Sequence, residues 1–348
     1  MRRILFCLLS LTLLLSACAR PSAPAGPEAN ARASRTLEAM DTFMTLTACG
    51  AHREDALDAA EAEIRRLEAL FSIGSPDSEV SALNRAGEGV LSEDGRAVVS
   101  RALELHADTG GRFDITVLPL MELWGFTSGK YRVPSDGELA EILPAVGADL
   151  LDYDPETGKL ALCAGQAIDL GGIAKGYASQ RVMELYRAAG VTSGLVSLGG
   201  NVQCLGARPD GSPWRIGIQD PEGVSGAMAA VVEVVDQAVI TSGGYERYFV
   251  DEATGVNYRH ILDPETGTPA ESDLTSVTIV SPDGMLADGL STALYIMGLE
   301  AAVDYWRAHS DAFQAIFIDA SGQIHVTEGL APSVSPAPGG AEFDVLKA

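Results

Sequence analysis

The chain has few basic residues for its length, and it has none of the most common catalytic sequence motifs. Lysine and arginine number 24 against 48 aspartates and glutamates in 348 residues, so the formal net charge is −24 at pH 7. A general nucleic-acid binder needs a basic surface for phosphates, and docking on anionic lipid needs a basic patch. The composition argues against both classes. The sequence also contains no G-x-x-x-x-G-K-[ST], no H-E-x-x-H and no G-x-S-x-G pattern.

Cysteines are scarce, and their spacing in the sequence does not suggest pairs. The five are Cys7, Cys18, Cys49, Cys163 and Cys204, and no two form a C-x-x-C pair. This spacing indicates neither a disulfide framework nor a zinc cluster. We expect Cys49, Cys163 and Cys204 to be buried free thiols.

The N-terminus has the pattern of an export signal. Arg2 and Arg3 precede an apolar run over residues 4–15, which is too short to span a bilayer as a helix. Leu15-Ser16-Ala17-Cys18 resembles the bacterial lipoprotein signal, and the alternative is a plain secretory signal with an incidental cysteine. We expect a signal peptide over 1–17, lipidation of Cys18, a tether over 18–35, one folded domain over 36–330, and an irregular tail over 331–348. The protein would then be exported and anchored to a membrane by lipid.

Hydrophobic periodicity predicts helices and strands that are segregated more than they alternate. Helices are expected over residues 55–71, 96–109, 136–146, 173–189, 285–297 and 300–309. Strands are expected over 42–48, 194–197, 202–205, 214–218, 228–235, 245–250, 275–280, 313–318 and 323–326. Segregated elements favour an α+β domain with a largely antiparallel sheet flanked by helices over a doubly wound parallel fold.

A glycine turn at Gly171-Gly172 precedes a predicted helix and Lys175. Free N–H groups at a helix start, together with the lysine, form a potential anion site. The alternative is a turn that only packs the helix onto a sheet.

His260 lies just before the turn Asp263-Pro264-Glu265-Thr266-Gly267. A histidine on a loop suits proton transfer at neutral pH, although a lone histidine is more often structural.

Asp288 and Thr292 are four residues apart at a helix start and therefore share a face. One carboxylate with hydroxyl groups suits Mg²⁺ better than zinc, and the alternative is a helix-terminal carboxylate beside a buried threonine. In the segment 241–248, Ser242 could donate to a ligand and Arg247 could pair with an acid, or both could be solvated hairpin residues.

Eight segments in order resemble the ApbE family of flavin transferases. They are Met40-Asp41-Thr42, 78–84 (SEVSALN), 113–126 (FDITVLPLMELWGF), 168–176 (IDLGGIAKG), 197–201 (SLGGN), 241–248 (TSGGYERY), 260–267 (HILDPETG) and 287–294 (ADGLSTAL). The resemblance covers residues 36–327. It implies a single ApbE-like (T-fold-like) domain and an Mg²⁺-dependent FAD:protein FMN transferase. Such an enzyme splits the FAD pyrophosphate, moves FMN onto a threonine of a target protein and releases AMP.

The resemblance also implies roles for individual residues. The Mg²⁺ ligands would be Asp288, Thr292 and the carbonyl of Gly172, with Ser291 as a further candidate. The positions that match flavin-nucleotide contacts are Met40, Arg112, Phe113, Asp114, Asp169, Lys175, Ser242 and Ile261. His260 matches the family's proposed catalytic histidine, and either His260 or Asp263 would accept the threonine proton. Asn84 matches a position linked to the balance between transfer and hydrolysis.

The family's targets include subunits of the sodium-pumping NADH:quinone reductase and of the Rnf complex. Some relatives hydrolyse FAD to FMN and AMP, or mainly bind FAD. An FAD pyrophosphatase and a non-catalytic FAD-binding lipoprotein are therefore the alternative functions. FAD is itself an anion, so the site in this acidic chain must supply positive charge locally.

Overall fold

The computed structural model describes residues 31–224, 226–338 and 342–348. These residues contain eight α-helices: α1 (Arg53–Phe71), α2 (Glu79–Ala86), α3 (Glu93–Asp108), α4 (Leu118–Trp124), α5 (Asp136–Ile142), α6 (Ala174–Ala188), α7 (Gly284–Met297) and α8 (Leu299–Ala308). Short 3₁₀ turns follow at Leu143–Ala145, Ala148–Leu150 and Ala331–Ser333. None of the helices in these ranges is both long enough and apolar enough to cross a membrane.

The strands form one large sheet and three small ones. They are β1 (Arg32–Ala39), β2 (Thr42–Cys49), β3 (Glu88–Val90), β4 (Asp152–Tyr153), β5 (Lys159–Ala161), β6 (Ser193–Leu198), β7 (Asn201–Leu205), β8 (Trp214–Gln219), β9 (Met228–Val234), β10 (Ala238–Gly243), β11 (Tyr248–Val250), β12 (Asn257–Arg259), β13 (Leu274–Ser281), β14 (Gln314–Asp319), β15 (Ile324–Thr327), β16 (Val334–Pro336) and β17 (Phe343–Leu346). The large sheet has the order β1-β2-β6-β7-β10-β13-β14-β15-β17, and the small sheets are β16-β9-β8, β3-β5-β4 and β11-β12. Strand pairs are antiparallel except for β15 with β17.

Both faces of the large sheet are buried, because successive side chains of a strand point to opposite faces. In β13, Ile279 joins the apolar cluster shared with the helices, whereas Val280 joins the cluster shared with the small sheet β16-β9-β8. Phe317 and Ile318 divide in the same way in β14. The domain is therefore layered, with helices on one face of the large sheet and a small sheet on the other.

A third apolar cluster supports the β11–β12 hairpin and the loop that follows it. Phe249 and Tyr258 of the hairpin pack on Trp124 and Phe126. The indole N–H of Trp124 donates to the carbonyl of Gly267 at 2.8 Å. These contacts fix both chain segments that flank His260.

The α+β prediction is confirmed, and the predicted one-sided helix over 55–71 is α1, whose buried face includes Leu57, Ile64, Leu67 and Phe71. The predicted helix over 136–146 ends earlier, at Ile142, and the predicted strand over 245–250 is reduced to β11. Helices α2 and α4 and strand β10 were not predicted.

Two predicted boundaries are wrong. Residues 32–35 of the predicted tether form the start of β1 and pair with β2, with Arg32 opposite Cys49. The predicted irregular tail contains β16 and β17, which pair with β9 and β15. Strands at such positions depend on distant partners, so local composition does not reveal them. The predicted signal peptide, the lipidation site Cys18 and the rest of the tether lie outside the described residues.

The thiols follow the prediction at two of three positions. Cys49 and Cys204 are buried free cysteines, as expected, but Cys163 is exposed. Cys163 lies in a turn after β5, where no core element covers it.

Candidate active site

The glycine turn links two of the predicted site segments. Asp169 donates its backbone N–H to the carbonyl of Ile115 (2.7 Å), and its Oδ1 accepts the amide of Gly171 (2.9 Å). A Cβ on Gly172 would lie 3.2 Å from the ring of Phe113. The turn therefore places Asp169, Gly172 and the buried Phe113 ring together at the start of α6.

Asp288 lies on the buried face of α7, against the first turn of α6. Its side chain is 4% exposed, and its two oxygens accept hydrogen bonds from Gly176 N (2.7 Å) and Asn201 Nδ2 (2.8 Å). Burial raises the pKa of this carboxyl, while Lys175 and the two donors act in the opposite direction. A Cβ on Gly176 would lie 2.3 Å from the carbonyl oxygen of Gly284. A glycine at 176 is what allows the two helices to approach closely enough for this amide to reach the carboxylate.

Three hydroxyl groups gather beside Asp288. Ser242 Oγ, at the end of β10, lies 2.8 Å from Ser291 Oγ and 3.2 Å from Thr292 Oγ1. Ser291 Oγ also donates to the backbone carbonyl of Asp288 (2.8 Å). The helical spacing that predicted a shared face for Asp288 and Thr292 holds, and β10 adds Ser242 to the same place.

Lys175 is surrounded by acidic groups. Its amino group donates to the carbonyl of Gly171 (3.2 Å). Its positive charge partly offsets the effect of burial, which raises the pKa of Asp169, Glu246 and Asp288. Burial acts more strongly on these carboxyls, so the pKa of Asp169 and of Asp288 is raised and the pKa of Glu246 is raised to about 7. Several carboxyl groups thus share the charge of Lys175, with Arg247 acting in addition on Asp169, which is a setting that favours added positive charge.

His260 is held as a neutral base. Its backbone N–H donates to the carbonyl of Arg247 (3.0 Å), and its Nδ1 lies 3.1 Å from the same carbonyl oxygen. A carbonyl oxygen only accepts, so Nδ1 carries the proton and Nε2 has the free lone pair. The His260 side chain is half-buried, and partial burial together with the nearby charges of Arg247 and Lys175 lowers its pKa to about 4.

Asp263, the other candidate base, is engaged elsewhere. Its carboxylate accepts from Arg112 Nη1 (3.0 and 3.1 Å) and from the amide of Glu265 (2.9 Å). Arg112 also pairs with the Glu265 carboxylate at 2.9 Å. These contacts stabilise the turn after His260 and occupy Arg112, which the resemblance assigns to nucleotide contact. Arg112 and Glu265 line a surface cavity of about 180 Å³.

Asp114 is also committed to internal partners. Its oxygens accept from Thr116 N and Oγ1 (both 2.6 Å) and from the amide of Ala148 (2.9 Å), and His106 Nδ1 lies 3.2 Å away. These donors hold the pKa of the buried Asp114 below its ordinary value despite the opposing effect of burial. In this structure the Asp114 side chain therefore supports the chain around Phe113.

Met40 and Asp41 form the two-residue turn between β1 and β2. Their φ angles of 48° and 57° lie in the left-handed region, which glycine adopts most readily and which type I′ hairpin turns require at both central residues. The negative charge of Asp41 contributes to raising the pKa of Asp169, so this turn faces the same site. Ile261, which follows His260 in the sequence, is buried in the main core.

Asn84 ties α2 to the chain segment before Asp169. Its side-chain Nδ2 donates to the carbonyl of Ile168 (2.8 Å), and its Oδ1 accepts the amide of Ile168 (2.9 Å). Both ends of the amide are used by the backbone next to Asp169.

The donor set around Asp288 fits Mg²⁺ chemically. Mg²⁺ is held in proteins by one or two carboxylates and by other oxygens. Asp288 offers a buried carboxylate, Thr292 and Ser291 offer hydroxyls, and the turn at Gly172 offers carbonyl groups. Over the ranges described, no group of three or more His, Cys, Asp or Glu side chains forms a metal site of another kind.

Two residues of the site had no predicted role. Asn201 and Glu246 belong to the motifs SLGGN and TSGGYERY, but only the folded chain brings them to Asp288 and Lys175. The sequence signal for Asn201 was a polar residue directly after the turn Gly199-Gly200, at the start of a buried strand.

Comparisons with known proteins identify the family of this chain. The ApbE family model matches residues 40–317. A Treponema pallidum protein named FAD:protein FMN transferase is 34% identical over 289 residues, which are 78% of this chain and 79% of that protein. A Klebsiella pneumoniae protein of the same name is 31% identical over 326 residues, covering 90% of this chain and 92% of that protein. The crystal structure of the ApbE protein from Thermotoga maritima superposes with a TM-score of 0.80 at 32% identity and covers 87% of this chain and 99% of that one. The resemblance on which the prediction of a transferase rests is thereby confirmed: the chain belongs to the ApbE family.

Proposed function

We propose that this chain is an Mg²⁺-dependent FAD:protein FMN transferase. It would cleave the pyrophosphate of FAD, attach FMN through a phosphoester to a threonine of a target protein, and release AMP. The observation that carries the proposal is the convergence of four separate motifs of the family on Asp288: its carboxylate accepts from Gly176 N (2.7 Å) and Asn201 Nδ2 (2.8 Å), and Ser242 Oγ lies 2.8 Å from Ser291 Oγ on the same helix. The names of the curated relatives support the same activity.

Mg²⁺ would be held by the Asp288 carboxylate, the Thr292 hydroxyl and the Gly172 carbonyl, with Ser291 beside them. When bound, it supplies Lewis-acid neutralisation of the pyrophosphate charge. Lys175 would add positive charge for the same anion, whereas the amides of Ala174 and Gly176 at the start of α6 already donate to Leu170 O and Asp288 Oδ2. Together these groups would reverse, at the site, the repulsion that a net charge of −24 exerts on FAD.

His260 is the proposed base. The incoming threonine oxygen forms a bond to the phosphorus of the FMN half, and the bond from that phosphorus to the bridging oxygen breaks. The threonine proton passes to Nε2 of His260, and the bridging oxygen leaves with AMP. The carbonyl of Arg247 keeps Nδ1 protonated and stabilises the positive charge that forms on the ring. Asp263 is the weaker candidate, because Arg112 already satisfies its carboxylate.

The test is an adduct experiment. The mature chain is mixed with FAD, Mg²⁺ and a flavin-bearing domain of the sodium-pumping NADH:quinone reductase or of the Rnf complex. The proposal expects the mass of FMN on one acceptor threonine and an equal amount of AMP. An acceptor with threonine changed to valine keeps the shape, removes the hydroxyl, and should remain unmodified.

Other outcomes identify the alternative functions. FMN and AMP without any adduct, in the presence of a validated acceptor, would mean an FAD pyrophosphatase. FAD that stays bound with no AMP formed would mean a non-catalytic FAD-binding lipoprotein.

The cellular location is part of the same proposal. The pattern Leu15-Ser16-Ala17-Cys18 supports an exported lipoprotein that acts on membrane redox complexes from outside the cytoplasm. A Cys18→Ser variant should lose a radiolabelled fatty acid and leave the membrane fraction. If the unchanged chain takes up no label, the lipid anchor is wrong.

A further inference from the structure

We propose that Asn201 is a positioning residue that fixes the orientation of the Asp288 carboxylate for Mg²⁺. The inference rests on the proposed metal site and extends it to a residue with no assigned role. Asn201 is 4% exposed and begins β7, directly after the turn Gly199-Gly200. Its Nδ2 donates to Asp288 Oδ1 at 2.8 Å.

The two oxygens of Asp288 are held from two different elements. Oδ1 accepts from Asn201 on β7, and Oδ2 accepts from the Gly176 amide in α6 at 2.7 Å. Rotation of the carboxylate plane would break both bonds at once. Each oxygen keeps lone pairs that the donors do not use, so the carboxylate is oriented while its capacity to bind a cation remains.

The amide of asparagine suits this task because it is neutral. A buried carboxylate needs hydrogen-bond donors in order to remain charged. A lysine or arginine in the same place would neutralise Asp288 and compete with the metal. The Asn201 amide stabilises the charge and leaves it available to a cation.

The position of Asn201 is itself constrained. The amide of Gly199 donates to the carbonyl of Phe43 (3.1 Å), and a Cβ on Gly199 would lie 2.4 Å from Thr42 Oγ1. The turn before Asn201 is therefore pressed against the strand that follows Met40. This contact connects the predicted flavin-contact turn to the metal-binding carboxylate through one hairpin.

The same strand provides a matched control. Gln203 is also 4% exposed and lies on the same face of β7, two residues after Asn201. It accepts from Ser179 Oγ at 2.6 Å, and Ser179 also reaches the carbonyl of Gly176 (2.9 Å). Gln203 belongs to the buried polar layer, and its hydrogen bond goes to Ser179 and not to Asp288.

The experiment compares Asn201→Leu with Gln203→Met. Mg²⁺ binding is measured by calorimetry without FAD, and unfolding by urea is measured in EDTA. We expect Asn201→Leu to weaken Mg²⁺ binding about 10-fold or more, the range seen when outer-shell partners of metal ligands are removed. Gln203→Met should lose stability in EDTA and keep the Mg²⁺ affinity of the unchanged chain.

A purely structural role predicts a different result. In that case both variants would be less stable in EDTA and both would bind Mg²⁺ as the unchanged chain does, which overturns the inference. If Asn201→Leu does not fold, Asn201→Ser takes its place. The serine side chain is smaller and polar, and its hydroxyl is too short to reach the Asp288 oxygen that Asn201 Nδ2 now donates to.

The inference and the proposed function fail in different ways. Weakened Mg²⁺ binding in the Asn201 variant, with no FMN transfer by the unchanged chain, supports the inference and refutes the function. FMN transfer by the unchanged chain, with unaltered Mg²⁺ affinity in the variant, does the reverse. No Mg²⁺ binding by the unchanged chain overturns both.

Discussion

Gly176→Ala should separate helices α6 and α7 and disable the site between them. The new Cβ would lie 2.3 Å from the carbonyl oxygen of Gly284 and 2.8 Å from Cβ of Asp288, whereas ordinary contacts begin at 3.4 Å. The helices must therefore move apart by roughly 1 Å, since neither obstacle is the end of a flexible side chain. That movement also lengthens the hydrogen bond from the Gly176 amide to Asp288, now 2.7 Å.

The expected magnitude follows from two opposing effects. Overpacking a close-packed interior costs about 1–3 kcal/mol, and a clash with backbone belongs at the upper end of that range. Alanine gains about 1 kcal/mol over glycine in a helix interior. We expect the free energy of unfolding to fall by about 2 kcal/mol, which lowers Tm by roughly 3 °C for a domain of this size.

The assays are thermal unfolding, Mg²⁺ calorimetry and FMN transfer. A misplacement of about 1 Å in a catalytic group can cost about 100-fold in rate, so transfer should fall far more than stability. Gly137→Ala is the control, because Gly137 lies in α5 and an added Cβ there meets nothing within 4 Å. Its Tm should stay the same or rise slightly. A Gly176→Ala variant with unaltered Tm and Mg²⁺ affinity would refute the close-approach reasoning.

Three further predictions concern single side chains. His260→Ala should keep FAD binding and lower transfer by about 100- to 10,000-fold, and transfer by the variant at the rate of the unchanged chain would place the base elsewhere. Because the pKa of His260 is lowered to about 4, the part of the pH dependence that His260→Ala removes should lie near pH 4. Asp288→Asn should abolish the rise in Tm on adding Mg²⁺, and a persistent rise places the metal elsewhere. Asp114→Asn should lower the free energy of unfolding at pH 7 by about 1–3 kcal/mol, measured by urea unfolding. Because the native pKa of Asp114 is depressed, its contribution to stability is present at neutral pH and is lost as the pH falls through that pKa. A variant that remains less stable than the unchanged chain in acid contradicts this assignment.

Much of the architecture could be predicted from local pattern. The spacing of Leu57, Ile64 and Phe71 fixed one face of α1, because a helix repeats every 3.6 residues regardless of what it packs against. The same geometry placed Asp288 and Thr292 on one face of α7. Alternation and turn residues located most strands of the large sheet.

Other elements could not be predicted, since their conformation depends on distant partners. Helix α4 is seven residues long and almost wholly apolar, and a short apolar run fits a strand equally well. Strand β17 exists because it pairs with β15, although the tail around it is rich in proline and glycine. Such strands are stabilised by neighbours and not by their own propensity.

For the site, the sequence by itself determined which chemical groups are available: a carboxylate and hydroxyls at Asp288 and Thr292, a glycine turn with Lys175, and a histidine before a tight turn. Only the tertiary structure decided how they are used. Asn201 reaches Asp288 across 87 residues of chain, Arg112 engages Asp263 across 151, and the carbonyl of Arg247 selects the tautomer of His260. Hydrogen bonds and pKa values depend on distances and burial, and these quantities exist only once the chain has packed.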